Sequence, residues 1–253
     1  MPEILSELSD SILTLTLNRP EKQNAITRAM YQTMADGLAE ANNDFGVRAV
    51  IIASSSKHFT AGNDLFDFLN DPPLEPGSPV MNFLEAILNF PKPLLAAVSG
   101  NAVGIGTTML LHCDVVVASP TTRFSMPFVN LGLVPEAGSS LLFPRLVGYQ
   151  RASKVFLAGD AFDSTYALEV GLIAEIDEDP LAKVRSIAER IAAQPPNAVI
   201  QTKALLKAEL HDKTAAVMRA EGELFGMALQ SDEAREAFMN FLNRRSGEHT
   251  SEL

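Results

Sequence analysis

The chain has 253 residues, enough for one large domain or a domain with an appendage. Its 47% hydrophobic and 20% charged residues suit a globular protein, and its net charge of −11 argues against nucleic acid and anionic membrane surfaces as partners. A single cysteine, Cys113, rules out an internal disulfide, and its apolar neighbours suggest a buried thiol.

The N-terminal MPEILSELSD is acidic and short of apolar residues, unlike a signal peptide, so the expected compartment is the cytoplasm. The closing Ser251-Glu252-Leu253 differs from a Ser-Lys-Leu peroxisomal address by the wrong charge at Glu252. Ser11 to Leu17 alternates apolar and polar residues, which predicts a half-buried strand stopped by Asn18-Arg19-Pro20. Thr27 is a candidate N-cap for a helix to about Asn42, with Met30, Met34, Leu38 and Ala41 on one face. Val47 to Ala53 reads as a buried strand, so strand, helix and strand suggest a right-handed parallel crossover.

Next comes HFTAGNDL (58–65), a strand-to-glycine-to-helix turn in which Asn63 or Asp64 could cap the following helix. The proline-rich Asp71 to Pro79 predicts a surface loop, beside a pocket or as a linker, and Met81 to Asn89 a short helix. The central stretch, Lys92 to Asp114, holds an apolar strand (Leu94 to Val98), a loop ending on Gly104-Ile105-Gly106, and an apolar helical segment from Thr107 to Leu111. Pro93 to Leu111 carries no charge, but its glycines, Ser99, Asn101 and threonines are too polar for a membrane span. A third glycine of the dinucleotide fingerprint is replaced by Met109, and the turn has no P-loop lysine. The first N–H groups of a helix have no internal partner and carry partial positive charge, so such a turn can hold an anion. Two such turns in one chain fit the two backbone donors of an oxyanion hole, with the N–H of Asn63 and the N–H of Ile105 brought to one point.

Asp114 to Ser119 is a second buried strand, followed by a short strand from Arg123 to Met126. A helix is expected to start near Glu136, which stands in an apolar setting after Pro135. Such a glutamate is either an ordinary first-turn acid or, if desolvated, a proton acceptor with a raised pKa. Helices are expected over 151–158, 164–170, 181–193, 199–210 and 215–243, the last with an apolar face at Leu224, Ala228, Phe238 and Leu242. Pro195-Pro196 marks a break. A strand-rich core with an all-helical tail suggests an appendage lying over the core or on a neighbouring subunit.

Together, LNRPEKQNA (17–25), HFTAGNDL, KPLLAAVSGNAVGIG, CDVVVAS and LGLVPEAGSSLLFPRLVG resemble the crotonase (enoyl-CoA hydratase/isomerase) superfamily over nearly the whole chain. The resemblance implies an α/β fold, a crotonase-like spiral of ββα turns over 1–195. It also implies a C-terminal helical trimerisation region over 196–253, with assembly as a homotrimer or dimer of trimers. It further implies an acyl-CoA thioester as substrate and no metal or redox cofactor. By position, the oxyanion donors fall on Asn63 and Ile105, and Ala61, Gly62, Asp64, Leu65, Gly104, Phe66 and Phe128 become substrate contacts. Hydratases of this family use two glutamates, and the matching positions here are Thr108 and Phe128. GNDL, PFVNLG, SDEAREAFMNFLNRRS and the single Glu136 are similar to the peroxisomal-type Δ3,Δ2-enoyl-CoA isomerase branch. The expected activity is therefore double-bond transposition by Glu136 in a pocket lined by Phe66, Phe68 and Phe128. Hydratase, thioester hydrolase, decarboxylase and non-catalytic acyl-CoA binder are the alternatives. Asp64 reads as a cap, Asp114 as a buried hydrogen-bonded acid, and His58 and His112 as structural. Arg19 and Lys22 are candidates for the CoA phosphates, as is a tail residue of a neighbouring subunit.

Overall fold

The computed structural model describes residues 1–70 and 77–248, with side chains at 69–70 and 241–248 left aside. Strands β1 (Ile4–Ser9) and β2 (Ile12–Leu17) form an antiparallel hairpin. Asp10 and Ser11, both with positive φ, make its two-residue turn, the conformation that matches strand twist. The sequence reading missed β1 because four of its six residues face solvent.

Helix α1 (Arg28–Asn43) starts as expected, with the Thr27 hydroxyl accepting from the Met30 N–H. It returns the chain to β3 (Ala49–Ser54), parallel to β2. Helices α2 (Leu65–Asn70) and α3 (Pro79–Asn89) follow; most of the proline-rich loop between them, 71–76, lies outside the described residues. Strand β4 (Leu94–Val98) joins the sheet beside β3, and β5 (Asn101–Val103) leaves it for a second sheet. After α4 (Ile105–Thr108) and one 3₁₀ turn (Met109–His112), β6 (Val115–Ala118) returns to the first sheet and β7 (Arg123–Ser125) to the second. From β4 onward each winding adds one strand to each sheet, as in a spiral of ββα turns.

Helices α5 (Ser139–Val147) and α6 (Tyr149–Ala158) lead to β8 (Phe162–Asp163), α7 (Ser164–Glu169), β9 (Glu175–Ile176) and α8 (Pro180–Ala192). The large sheet has the order β1-β2-β3-β4-β6-β9, and the small one β5-β7-β8. Val184, Ile187 and Ala188 of α8 pack on Ile12, Ile51, Leu95 and Val117, while the main core covers the other face. Burial on both faces explains why 49–53 and 94–98 read as unbroken apolar runs.

The tail has three helices where two, 199–210 and 215–243, are expected. It forms α9 (Pro196–Lys207), α10 (His211–Leu229) and α11 (Asp232–Glu248). Pro196 opens α9 because a first-turn residue needs no N–H partner. The 215–243 pattern breaks at Gln230-Ser231, where the Ser231 hydroxyl accepts from the Ala234 N–H and starts α11. Leu224 is 52% exposed, so the buried face of α10 runs instead through Met218, Phe225 and Leu229. Phe238 is buried as expected, and the Leu242 side chain lies outside the described residues. Phe225 meets Phe68 edge-on, with ring centres 6.4 Å apart, which lays α10 across α2 of the same chain.

Candidate active site

The first turn is tied down by its neighbours. The buried Asn24 side chain donates to the carbonyls of His58 and Phe59, and the Thr60 hydroxyl donates to Asn24 O at 2.6 Å. Ile26 N–H donates to Gly62 O at 2.8 Å, and Asp64 N–H donates to Ile26 O at 2.9 Å. In a trans peptide the N–H points opposite to the preceding carbonyl. With Gly62 O turned to Ile26, the Asn63 N–H faces the other way. Among the described residues it donates to no protein acceptor.

The second turn works by the same geometry. Gly104 (φ +56°, ψ −119°) adopts a conformation that favours glycine, and its carbonyl accepts from the N–H groups of Thr107 and Thr108. Because that carbonyl points into α4, the Ile105 N–H points out of the helix start. It too donates to no protein acceptor among the described residues. Gly106 is needed for space rather than conformation, since a Cβ there would lie 2.3 Å from the Thr60 methyl. Thr60 and Ala102 form a parallel bridge, so the two turns abut.

Glu136 corrects one expectation: it lies not in a helix but in the turn before α5, ahead of Ala137 with φ +58°. Its Oε1 accepts a short hydrogen bond from the Thr108 hydroxyl, one helical turn beyond Ile105. Tyr31 of α1, fully buried, donates to Asn63 Oδ1 at 2.5 Å, and its phenol is held protonated by burial and by the negative charge of Glu136. Tyr31 therefore borders both the first turn and the carboxyl group. Burial, and secondarily the charge of Glu221, push the Glu136 carboxyl from 4.5 up to about 8, against the opposing pull of the Thr108 hydrogen bond. The first turn, the start of α4 and the desolvated Glu136 carboxyl are thus neighbours, joined by the Thr60–Ala102 bridge and the Thr108 hydroxyl.

Other expected contacts sort differently. Gly62 is buried, and Ala61, Leu65 and Gly104 are partly exposed in or beside the turns. Phe68 and Phe128 are buried in the core, but Phe66 is 66% exposed on the outer side of α2 and lines no closed pocket. Asp64 is a cap, accepting from the N–H groups of Phe66 and Asp67, and its other oxygen holds Arg19 at 2.6 Å. That ion pair and Glu3, at 3.0 Å, engage the Arg19 guanidinium, which removes it as a phosphate ligand; Lys22 is exposed. His58 Nδ1 accepts from the Asn101 N–H, as a structural histidine does. His112 is buried with its pKa pushed by burial down to about 4, so the neutral ring donates through Nε2 to Ala137 O at 2.7 Å. Asp114 accepts from the Leu94 N–H and pairs with Lys203 at 2.7 Å. Burial pushes the Cys113 thiol up to about 12, which makes it unreactive.

Sequence reasoning missed Asn24, Tyr31 and Glu221. Asn24 lies in the quoted LNRPEKQNA run, whereas a tyrosine and a glutamate on helix faces carry no local signal of their partners.

The Enoyl-CoA hydratase/isomerase family model matches residues 7–252. The chain belongs to this family. The 1,2-epoxyphenylacetyl-CoA isomerase of Escherichia coli is 30% identical over 99% of this chain and 99% of its own length. Human enoyl-CoA delta isomerase 2 is 32% identical over 94% of the chain, which spans 62% of that protein. The solved structure of Pseudomonas aeruginosa OdaA is 45% identical, with a TM-score of 0.93 over 95% of this chain and 99% of that one. Family members named as hydratases match at similar identity. The chain is thus an enzyme of the enoyl-CoA hydratase/isomerase family, which acts on acyl-CoA thioesters, and no described helix is long and apolar enough to cross a membrane.

Proposed function

We propose that this enzyme converts 3-enoyl-CoA to 2-trans-enoyl-CoA, with Glu136 as the only proton carrier, in unsaturated fatty acid degradation. The observation that carries the reading is the pairing of Thr108 with Glu136. Where family hydratases place their two glutamates, this chain has a hydroxyl committed to Glu136 and a buried phenyl ring, Phe128. Neither can act as a second carboxylate to deliver water. In the proposed cycle, ionised Glu136 takes a proton from C2 of the thioester. The electron pair moves into the carbonyl, and the N–H groups of Asn63 and Ile105 stabilise the enolate oxygen. Protonated Glu136 then returns the proton to C4, the double bond moves to C2–C3, and the carboxylate is regenerated. A carboxyl group with a pKa of about 8 is suited to both halves, since it is basic enough to accept and acidic enough to return the proton. Assembly as a homotrimer or a dimer of trimers is part of the same proposal, and Leu205 and Leu206, 79% and 82% exposed on α9, offer an apolar face for it.

The test is deuterium incorporation at C2 and C4 of a 3-enoyl-CoA in D2O, wild type against Glu136→Gln. The proposal requires exchange and turnover in the wild type and neither in the variant, with acyl-CoA binding retained by both. Turnover by Glu136→Gln within about a hundredfold of the wild type would remove Glu136 from its role. Binding without C2 exchange in the wild type would make the chain an acyl-CoA binder, and net hydration of a 2-enoyl-CoA would make it a hydratase.

A further inference from the structure

The residues after Glu136 are held from two directions by groups distant in sequence. His112 donates to Ala137 O at 2.7 Å. On the other side, Glu221 of α10 accepts from the Gly138 N–H at 2.6 Å and the Ser140 N–H at 2.9 Å, and from the Ser140 hydroxyl. Glu221 is 6% exposed, and no salt-bridge cation lies within reach among the described residues. Burying a carboxylate without a cation is costly, and here three donors at the start of α5 offset that cost. The same geometry fixes Ala137, whose left-handed backbone an L-residue does not hold unaided.

We propose that Glu221 is a positioning residue for the proton carrier: it clamps the 138–140 turn so that Glu136 is aimed at the oxyanion turns. The inference rests on the reading of Glu136 as the base. The titratable groups facing Glu136 are Glu221 from α10 and Tyr31 from α1, with His112 one residue along. Tyr31 stays protonated and His112 stays neutral; burial raises the Glu221 pKa, while its hydrogen bonds from Ser140 and Gly138 favour the charged carboxylate. That charge opposes ionisation of Glu136, in the direction already given for its pKa.

Two variants test this. Glu221→Gln keeps the shape but removes the charge and turns an NH2 donor toward one of the two backbone N–H groups that Glu221 accepts from; Ser140→Ala removes one clamp contact and leaves the charge in place. Carbon-13 NMR titration, with the Glu136 carboxyl assigned by its loss in Glu136→Gln, reads the ionisation without any need for turnover. In Glu221→Gln the Glu136 titration should move to lower pH, by up to about one unit. The acidic limb of kcat/KM should move with it, and kcat at the alkaline plateau should fall on the order of tenfold, with KM little changed. Ser140→Ala should leave the titration in place and lower kcat by a few fold. A kcat in Glu221→Gln equal to that of the wild type overturns the proposal, whatever happens to its thermal stability. A wild type that titrates as described but does not isomerise 3-enoyl-CoA would overturn the functional reading alone.

Discussion

The two amide turns and the loop bearing Glu136 are built in opposite ways. In the turns, backbone features aim the donors: a glycine at 104 with a backbone favoured only by glycine, a helix that starts one residue later, and main-chain pairing of Ile26 with the first turn and of Thr60 with Ala102. In the Glu136 loop nothing local is sufficient. Thr108, His112 and Glu221, at sequence separations of 28, 25 and 81–83 residues from their partners, hold it in place. On the proposed function, the charge-stabilising half of the site is held by backbone pairing, and the proton-moving half by side chains from other parts of the chain. Substitutions should act on the two halves with different signatures.

The sharpest separation comes from Glu136→Gln. Removing the proton carrier should lower isomerisation by on the order of 10³–10⁴-fold in kcat while calorimetric acyl-CoA affinity is retained. A comparable loss of affinity would mean the two halves are not separable. Next in size is Gly104→Ala, which forces an L-residue into φ +56° and mis-aims the Ile105 N–H. A fall in kcat on the order of a hundredfold is expected, with the Glu136 titration unmoved. Thr108→Val gives a smaller and opposite kind of effect. Its hydroxyl favours the ionised carboxylate, so its loss raises the Glu136 pKa above about 8. In the wild type, kcat/KM should rise with pH to a plateau above about 8, and in Thr108→Val that limb should shift to higher pH, lowering activity at pH 7 several-fold.

The last effect is on stability. The Glu136 carboxyl has a folded pKa of about 8 against an ordinary 4.5, so between these values the folded state binds more protons than the unfolded one. Stability conferred by the protonated form is complete below 4.5 and is lost as pH rises through about 8. The melting temperature of Glu136→Gln should therefore gain on that of the wild type as pH increases from 5 to 8.5, and parallel melting curves would contradict the burial of this carboxyl group.

The same contrast explains what could be read from the sequence. Apolar runs at 49–53 and 94–98, the Thr27 cap and the glycines of both turns have local causes, and each lies where its pattern predicts. Asn63 and Ile105 follow from turn chemistry alone. The start of α5 does not, because Pro135 and Glu136 look like a helix entry while the left-handed pair Ala137-Gly138 delays it to Ser139. Arg19 looked available for phosphate until folding brought Glu3 and Asp64 to it. Phe66 read as a pocket wall because its neighbours are apolar, but α2 turns Phe68 inward and leaves Phe66 outside. The break at Ser231 was hidden by an apolar pattern that continues across it.

The order of these parts along the chain has a consequence during synthesis. A nascent polypeptide extending to α8 already contains the sheet strands, both donor turns and Glu136 itself. It still lacks Glu221, and with it the three acceptor contacts that cap α5. On the roles proposed, an emerging chain thus carries both amide donors before its acid–base group has the clamp that aims it, so a truncation before α10 should leave the carboxyl group unaimed.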